Sequence, residues 1–181
     1  MSKPLPVLET DRLILRPPQA EDFEPWAAFV ADAEVQRFIG GAQERAVAWR
    51  MLRLMAGAWA MDGFGMFSVL EKASGCWIGR LGPWCPADWP GTEVGWALVR
   101  DAWGKGYAIE SATAAIDWAF DNLGWTEVVH TIAPENVNSQ AVAKRLGSTI
   151  LRDGWLPAPI NSATVVWGQS REQWMGRRRS A

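Results

Sequence analysis

The sequence predicts an α/β domain with a mixed sheet and helices on its faces. Three observations predict it. First, Thr92 to Phe120 reads as strand, glycine loop, helix. Thr92, Val94, Trp96 and Leu98 alternate with Glu93, Gly95, Ala97 and Val99. The loop Trp103-Gly104-Lys105-Gly106-Tyr107-Ala108 follows, and then Ala108, Ile109, Ala112, Ala115, Ile116, Ala119 and Phe120 share one helical face. Second, the β-branched run Glu127 to Ala133 follows that helix, so a strand there pairs naturally in parallel with Thr92–Val99. Third, the remaining segments give the order β-α-α-β-β-β-α-β-α-β-β.

In chain order, residues 1–7 are a lead-in. Thr10-Asp11-Arg12-Leu13-Ile14-Leu15-Arg16 predicts a first strand, closed by Pro17-Pro18. Residues 20–31 carry acids at their start and Phe23, Trp26, Ala27 and Val30 at helical spacing, hence a helix. Ala33 to Ile39 predicts a short helical piece ending at Gly40-Gly41. Residues 43–61 predict a longer helix, with Trp49, Leu52, Ala56 and Trp59 on one face and Gly63-Phe64-Gly65 as its stop. Met66–Lys72 and Cys76–Leu81 predict a hairpin joined by Ala73-Ser74-Gly75. Residues 83–91, with Pro83, Pro86 and Pro90, predict a loop. Gly124 ends the central helix. Pro134 to Ser139 leads into a helix over 139–146, stopped by Gly147, with Asn138 or Ser139 as N-cap. Strands follow near Thr149–Arg152 and Thr164–Gln169, with Pro157 and Pro159 between them.

The 181 residues suit one domain, 1–181, and 49% hydrophobic residues suffice for a sizeable core. A net charge of −2 gives no global electrostatic case for nucleic acid. Arg177, Arg178 and Arg179 read as a solvated, disordered end or as a local nucleic-acid contact. Cys76, Cys85 and the single histidine, His130, without a C-x-x-C, argue against a metal site. No signal segment and no apolar run near 18 residues appear, so the expectation is a soluble, cytoplasmic protein with no membrane partner. The 13 tryptophans divide between core and the wall of a substrate groove; any that are exposed would point to a homodimer.

A strand, glycine loop and helix form a device for holding an anion. The first amides of a helix lack intrahelical partners, and the helix dipole favours negative charge there. Gly104 and Gly106 let the backbone approach a phosphate, and Lys105 adds a charge. The other reading is a plain turn joining strand to helix. The loop is not a Walker A sequence, and Ile109 occupies the third glycine position of a dinucleotide fingerprint.

The register Trp103-Gly104-Lys105-Gly106-Tyr107-Ala108 resembles the acyl-CoA pyrophosphate loop of the GNAT N-acetyltransferases, Gln/Arg-x-x-Gly-x-Gly/Ala, with Trp103 departing from the usual Gln or Arg. "TDRLILRP", "EVGWALVRDAWGKGYAIE" and "PENVNSQAVAKRLG" together resemble the RimJ/RimL-type branch over about residues 9–174. The resemblance implies a mostly antiparallel sheet with a splayed parallel strand pair at its centre. It also implies acetyl-CoA as cosubstrate, with no metal, and an amine acceptor. In that family the splay lies at a bulge in the fourth strand, here Thr92–Val99, and the pantetheine arm pairs with strand backbone. The resemblance places that arm at Trp96, Ala97, Leu98 and Val99, the thioester carbonyl at the N–H near Ala97, and the pyrophosphate at residues 103–108. Asn138 would support the arm, and Lys144 or Arg145 would reach CoA phosphates; both cations otherwise read as a solvated helix face.

A primary amine attacks only when neutral, so a base is needed. The resemblance points to Glu93, and an apolar cleft would raise its pKa toward neutrality. A solvent-facing or arginine-paired glutamate is the other reading. His130 is the second titratable candidate, or else a satisfied core histidine. Many relatives protonate the departing thiolate with a helix tyrosine, but the only tyrosine here is Tyr107, in the loop. Ser139 stands near the sulfur by resemblance, or serves only as a cap. The activity expected is direct acetyl transfer to an amine, most readily a protein or peptide N-terminus, with small amines and amino-sugar antibiotics as alternatives. A catalytically silent acyl-CoA-binding module and a nucleotide-binding protein are the rivals. No motif identifies the acceptor.

Overall fold

The computed structural model describes residues 5–180, so residues 1–4 of the lead-in lie outside the described residues. Eight strands form one sheet in the order β1-β2-β3-β4-β5-β6-β8-β7. They are β1 Leu8–Glu9, β2 Leu13–Arg16, β3 Phe67–Glu71, β4 Trp77–Trp84, β5 Glu93–Leu98, β6 Glu127–Ile132, β7 Thr149–Leu156 and β8 Ser162–Ser170. Every neighbouring pair is antiparallel except β5 and β6, which run parallel. The helices are α1 Phe23–Ala31, α2 Arg45–Met61, α3 Tyr107–Asn122, α4 Val137–Leu146 and α5 Arg171–Ser180.

Successive residues of a strand face opposite sides, and the core follows that alternation. Val94 and Leu98 of β5 pack with α3 through Ala112, Ala115, Ile116, Ala119 and Phe120. Ala97 faces the other way, toward the cluster of α1 and α2 around Trp26, Phe29, Leu52 and Met55. The helical stripe read from the sequence is therefore the buried face of α3. A third cluster, Ile132, Ala143 and Trp167, packs α4 onto β6 and β8, with Trp96 against it. α1 is fixed by a polar anchor. Buried Asp22 accepts from Arg16 at 2.8 and 2.9 Å and from the Ser68 hydroxyl at 2.7 Å.

Several expectations need correction. The first strand is two pieces, because Thr10 to Arg12 form a turn in which the Thr10 N–H bonds the Leu13 carbonyl. Residues 33–40 are turns rather than a helix. β4 runs on through Pro83 to Trp84, into the predicted loop. Pro83 sits opposite Val94 and has no N–H to leave unpaired. Both C-terminal strands are longer than predicted. The arginine tail is not a disordered end: Arg177–Arg179 lie in α5. Buried Trp174 donates from its indole to Asp117 at 2.7 Å, Arg178 pairs with Asp117, and Arg177 bonds the Arg145 carbonyl.

Candidate active site

The glycine loop has the geometry its glycines were read to need. Gly104 has φ +73° and Gly106 φ +82°, the left-handed region, and Gly106 is the N-cap of α3. Residues 103–106 are exposed, and a Cβ at Gly104 would meet nothing within 4 Å. The open approach, the free amides of the first turn and Lys105 fit a pyrophosphate. The loop is braced from the first strand region. Arg12 pairs with Glu110 at 2.6 Å, donates to the Lys105 carbonyl at 3.0 Å and lies 4.5 Å over the Tyr107 ring, while Thr10 donates to Glu110 at 2.6 Å. The motifs "TDRLILRP" and "GKGYAIE" are thus two halves of one contact. Tyr107 is buried and its hydroxyl is engaged with Glu71, and the Trp103 indole donates to the Leu98 carbonyl at 2.8 Å.

β5 and β6 are paired at a single register position, Glu93 with Val129, after which they part. The Val129 N–H reaches the Thr92 carbonyl at 3.0 Å. The next rung of a parallel ladder would join the Thr131 N–H to the Val94 carbonyl. Side chains replace both halves of that rung. The Glu93 carboxylate accepts from the Thr131 N–H at 3.0 Å, and His130 Nδ1 meets the Val94 carbonyl at 2.7 Å. The opening is therefore made on the β6 side. Across Glu93 to Leu98, β5 keeps an unbroken register with β4, so the expected bulge is absent from that pairing. The same register corrects the backbone donor. Val94, opposite Pro83, turns its N–H and C=O toward β6, so by alternation Trp96 and Leu98 do too. Ala97 turns to Arg80 of β4, and the Val99 N–H is spent on the Ile78 carbonyl.

Glu93 is 5% exposed and also accepts from the Trp89 indole and the Thr131 hydroxyl. Burial pushes its carboxyl above the ordinary range, outweighing the hydrogen bonds from Thr131 and Trp89 and the charge of Arg80. His130 is 1% exposed, and burial lowers its pKa to about 4. Its Nδ1–H donates to Val94, and Nε2 accepts from the Ser148 hydroxyl at 3.0 Å, which in turn accepts from Gln169 at 3.0 Å. A neutral ring with both nitrogens bonded supports a structural role. Unfolded histidine takes a proton near 6.5, and the folded ring resists until about 4. Stability from this group is present above about pH 6.5 and lost as pH falls toward 4, roughly 3 kcal/mol in all. Glu93 acts oppositely, its contribution fading as pH rises from its ordinary 4.5. As the chain has one histidine, its imidazole NMR signals give a clean check. They are expected not to titrate between about pH 8 and pH 5. A midpoint near 6.5 would contradict the buried neutral ring.

Glu93, Trp96, His130, Thr131, Asn136 and Ser139 line a cavity of about 1210 Å³. Its outer walls come from α2, the end of β4 with the loop after it and the end of β7 with the loop after it, through Met51, Met55, Trp84, Trp89, Leu156 and Ile160 among others. A match to the acetyltransferase (GNAT) domain family spans residues 12–149, more than half the chain. The chain belongs to the GNAT acetyltransferase family. This GNAT enzyme is an acyltransferase. It is similar to the uncharacterized N-acetyltransferase YnaD of Bacillus subtilis, 24% identical over 163 residues, 90% of this chain and 92% of that one. The crystal structure of an acetyltransferase from Agrobacterium tumefaciens is 30% identical with a TM-score of 0.81, covering 94% of this chain and 98% of that one. The fold also matches RimJ of Mycobacterium smegmatis in complex with CoA-disulfide. That match has 18% identity and a TM-score of 0.70, over 89% of this chain and 83% of that one.

Within the GNAT frame, the sequence-named residues separate. Ser139 is the third residue of α4, not its cap. Asn136 is the N-cap, its side chain accepting from the Ser139 N–H at 3.1 Å. The Ser139 hydroxyl instead accepts from the Trp96 indole at 3.3 Å. Asn138 is exposed. Lys144 lies in the last turn of α4, at the opposite end from Ser139, with its ammonium 5.6 Å from the Trp167 ring centre. Arg80, Trp89, Thr131, Asn136 and Arg12 escaped the sequence reading. The co-occurrence of the Arg12 and Glu110 motifs was a usable signal; for Trp89 and Thr131 there was none. Among the described residues, no helix is long and apolar enough to cross a membrane.

Proposed function

We propose that the enzyme is a cytoplasmic N-acetyltransferase that moves an acetyl group directly from acetyl-CoA to a neutral primary amine. One observation carries the reading. The parallel strands open at Glu93, and the opening holds a buried carboxyl at the floor of a large cavity. The Gly104–Gly106 loop and the first turn of α3 hold the pyrophosphate, and the pantetheine arm enters between β5 and β6. The Glu93 carboxylate accepts the amine proton, directly or through water. The amine nitrogen bonds to the thioester carbon, and the cleft-facing N–H of Trp96 or Leu98 stabilises the oxyanion. The carbon–sulfur bond then breaks and the second proton of the attacking nitrogen passes to the departing sulfur, leaving the amide and the free CoA thiol. Because the Trp96 indole already donates to the Ser139 oxygen, the serine keeps its own hydrogen for that sulfur.

The RimJ/RimL resemblance implies a peptide N-terminus as acceptor. The Met- and Trp-lined wall favours an apolar acceptor body over a polycationic amino sugar. The deciding experiment incubates the protein with acetyl-CoA and a panel of peptides and small amines and follows free thiol. Amine-dependent release supports transfer; CoA binding without release on any amine would make the protein a binding module.

A Ser139→Ala variant is expected to lower turnover by ~10²-fold, the scale of a lost hydrogen bond to developing charge, with acetyl-CoA affinity unchanged. Asn136→Ala is expected to behave differently, losing about 1 kcal/mol of stability as the helix cap goes. Full turnover in Ser139→Ala would remove the hydroxyl from the reaction.

A further inference from the structure

The cavity holds a second ionised group that the proposed transfer does not use. Arg80 of β4 lines it and pairs in register with Ala97, on the strand face that carries Glu93. The residue between Glu93 and Ala97 on that face is Gly95, so no β5 side chain stands between the two charges. The guanidinium is short of partners. Its Nε is buried with no hydrogen-bond partner among the described residues, and Nη1 meets the Met66 sulfur, a weak acceptor. Glu93 makes no hydrogen bond to it among the described residues and acts on it only as a nearby charge. Burial lowers the guanidinium to about 10, against the upward pull of Glu93, so it remains a cation at neutral pH. A half-buried cation without a hydrogen-bonded anion is costly, and the planar guanidinium fork matches a carboxylate.

We propose that the acceptor, in place of the peptide N-terminus that the resemblance implies, is a compact amino acid with an apolar side chain, whose carboxylate binds Arg80 while its amine faces Glu93. The proposal rests on the transfer reading for the role of Glu93. The apolar body would lie against Met51, Met55, Trp84 and Trp89, which line the same cavity.

Three probes test it: phenylalanine, phenethylamine, which lacks the carboxylate, and 3-phenylpropanoate, which lacks the amine. Their binding and acetylation are compared in the wild type, Arg80→Met and Arg80→Lys. The wild type is expected to favour phenylalanine over phenethylamine by at least about tenfold in kcat/KM. Arg80→Met is expected to abolish the preference and weaken 3-phenylpropanoate binding by about 10- to 100-fold, with phenethylamine binding and acetyl-CoA affinity unaffected. Arg80→Lys should restore part of the loss. Equal use of both amines by the wild type, or failure of 3-phenylpropanoate to bind it, would overturn the proposal. So would an Arg80→Met defect confined to the pH profile, which would make Arg80 only a counter-ion of Glu93. Arg80-dependent carboxylate binding without acetylation would sink the transfer reading and leave the carboxylate site standing. Acetylation without carboxylate preference would do the reverse.

Discussion

A Glu93→Gln enzyme is expected to lose ~10²-fold or more of its turnover at pH 7 while binding acetyl-CoA normally. Lysine-like amines titrate near ~10.4 and α-amines near ~8, so the acceptor arrives mostly protonated. Glu93 is buried at the strand opening, and burial raises its carboxyl, which suits it to collect that proton. A raised carboxyl is in the base form only above its folded pKa. Wild-type kcat/KM should therefore fall with acid on a limb above the ordinary carboxylate range, and the limb should vanish in the variant. Higher pH should partly rescue Glu93→Gln, because solvent then supplies the neutral amine. The glutamine retains a carbonyl to accept from the Thr131 N–H, so the strand junction should survive, and a melting curve checks that it does. A folded variant with full activity at pH 7 would remove Glu93 from the chemistry. His130, neutral and bonded at both nitrogens, would not replace it.

The second large effect is expected at Gly106. Its φ of +82° lies where a β-branched residue is strongly disfavoured, and it caps α3 at the point proposed to receive the pyrophosphate. A Cβ there would also come to 3.4 Å from Arg12 Nη2, the arginine that braces the loop. Gly106→Val should raise the acetyl-CoA Kd by at least about tenfold, since the loop's amides and the dipole of α3 act only in that conformation. Calorimetry with CoA measures it. Unchanged affinity in a folded variant would refute the loop assignment.

The two effects differ in how far the sequence foretold them. The loop was legible because its causes are local. Two glycines ahead of an apolar helical stripe specify a left-handed turn and a helix start with nothing distant involved. The same holds for α2, α3 and the β3–β4 hairpin. Local reading failed where a partner from elsewhere decided the outcome. Thr10 to Arg12 turn because Thr10 and Arg12 bond Glu110, about a hundred residues on. Pro83 stays in β4 because β5 offers it a position that needs no N–H. The arginine tail becomes helical where Trp174 packs into the core.

The sequence by itself determined the mixed α/β layout and the glycine turn that starts α3, because hydrophobic period and glycine placement are carried within short windows; Glu93 came forward through the resemblance to the GNAT family. Only the tertiary structure decided how Glu93 is used. Its carboxylate takes the Thr131 N–H that a continued ladder would have bonded to Val94, and so holds the strands apart. Only the fold, likewise, put Arg80 unpaired in the same cavity, made Asn136 the cap that releases Ser139, and turned Trp96 and Leu98 to the cleft. Those outcomes depend on register between strands far apart in the chain, and a one-residue shift in register would reverse every one of the strand-borne orientations.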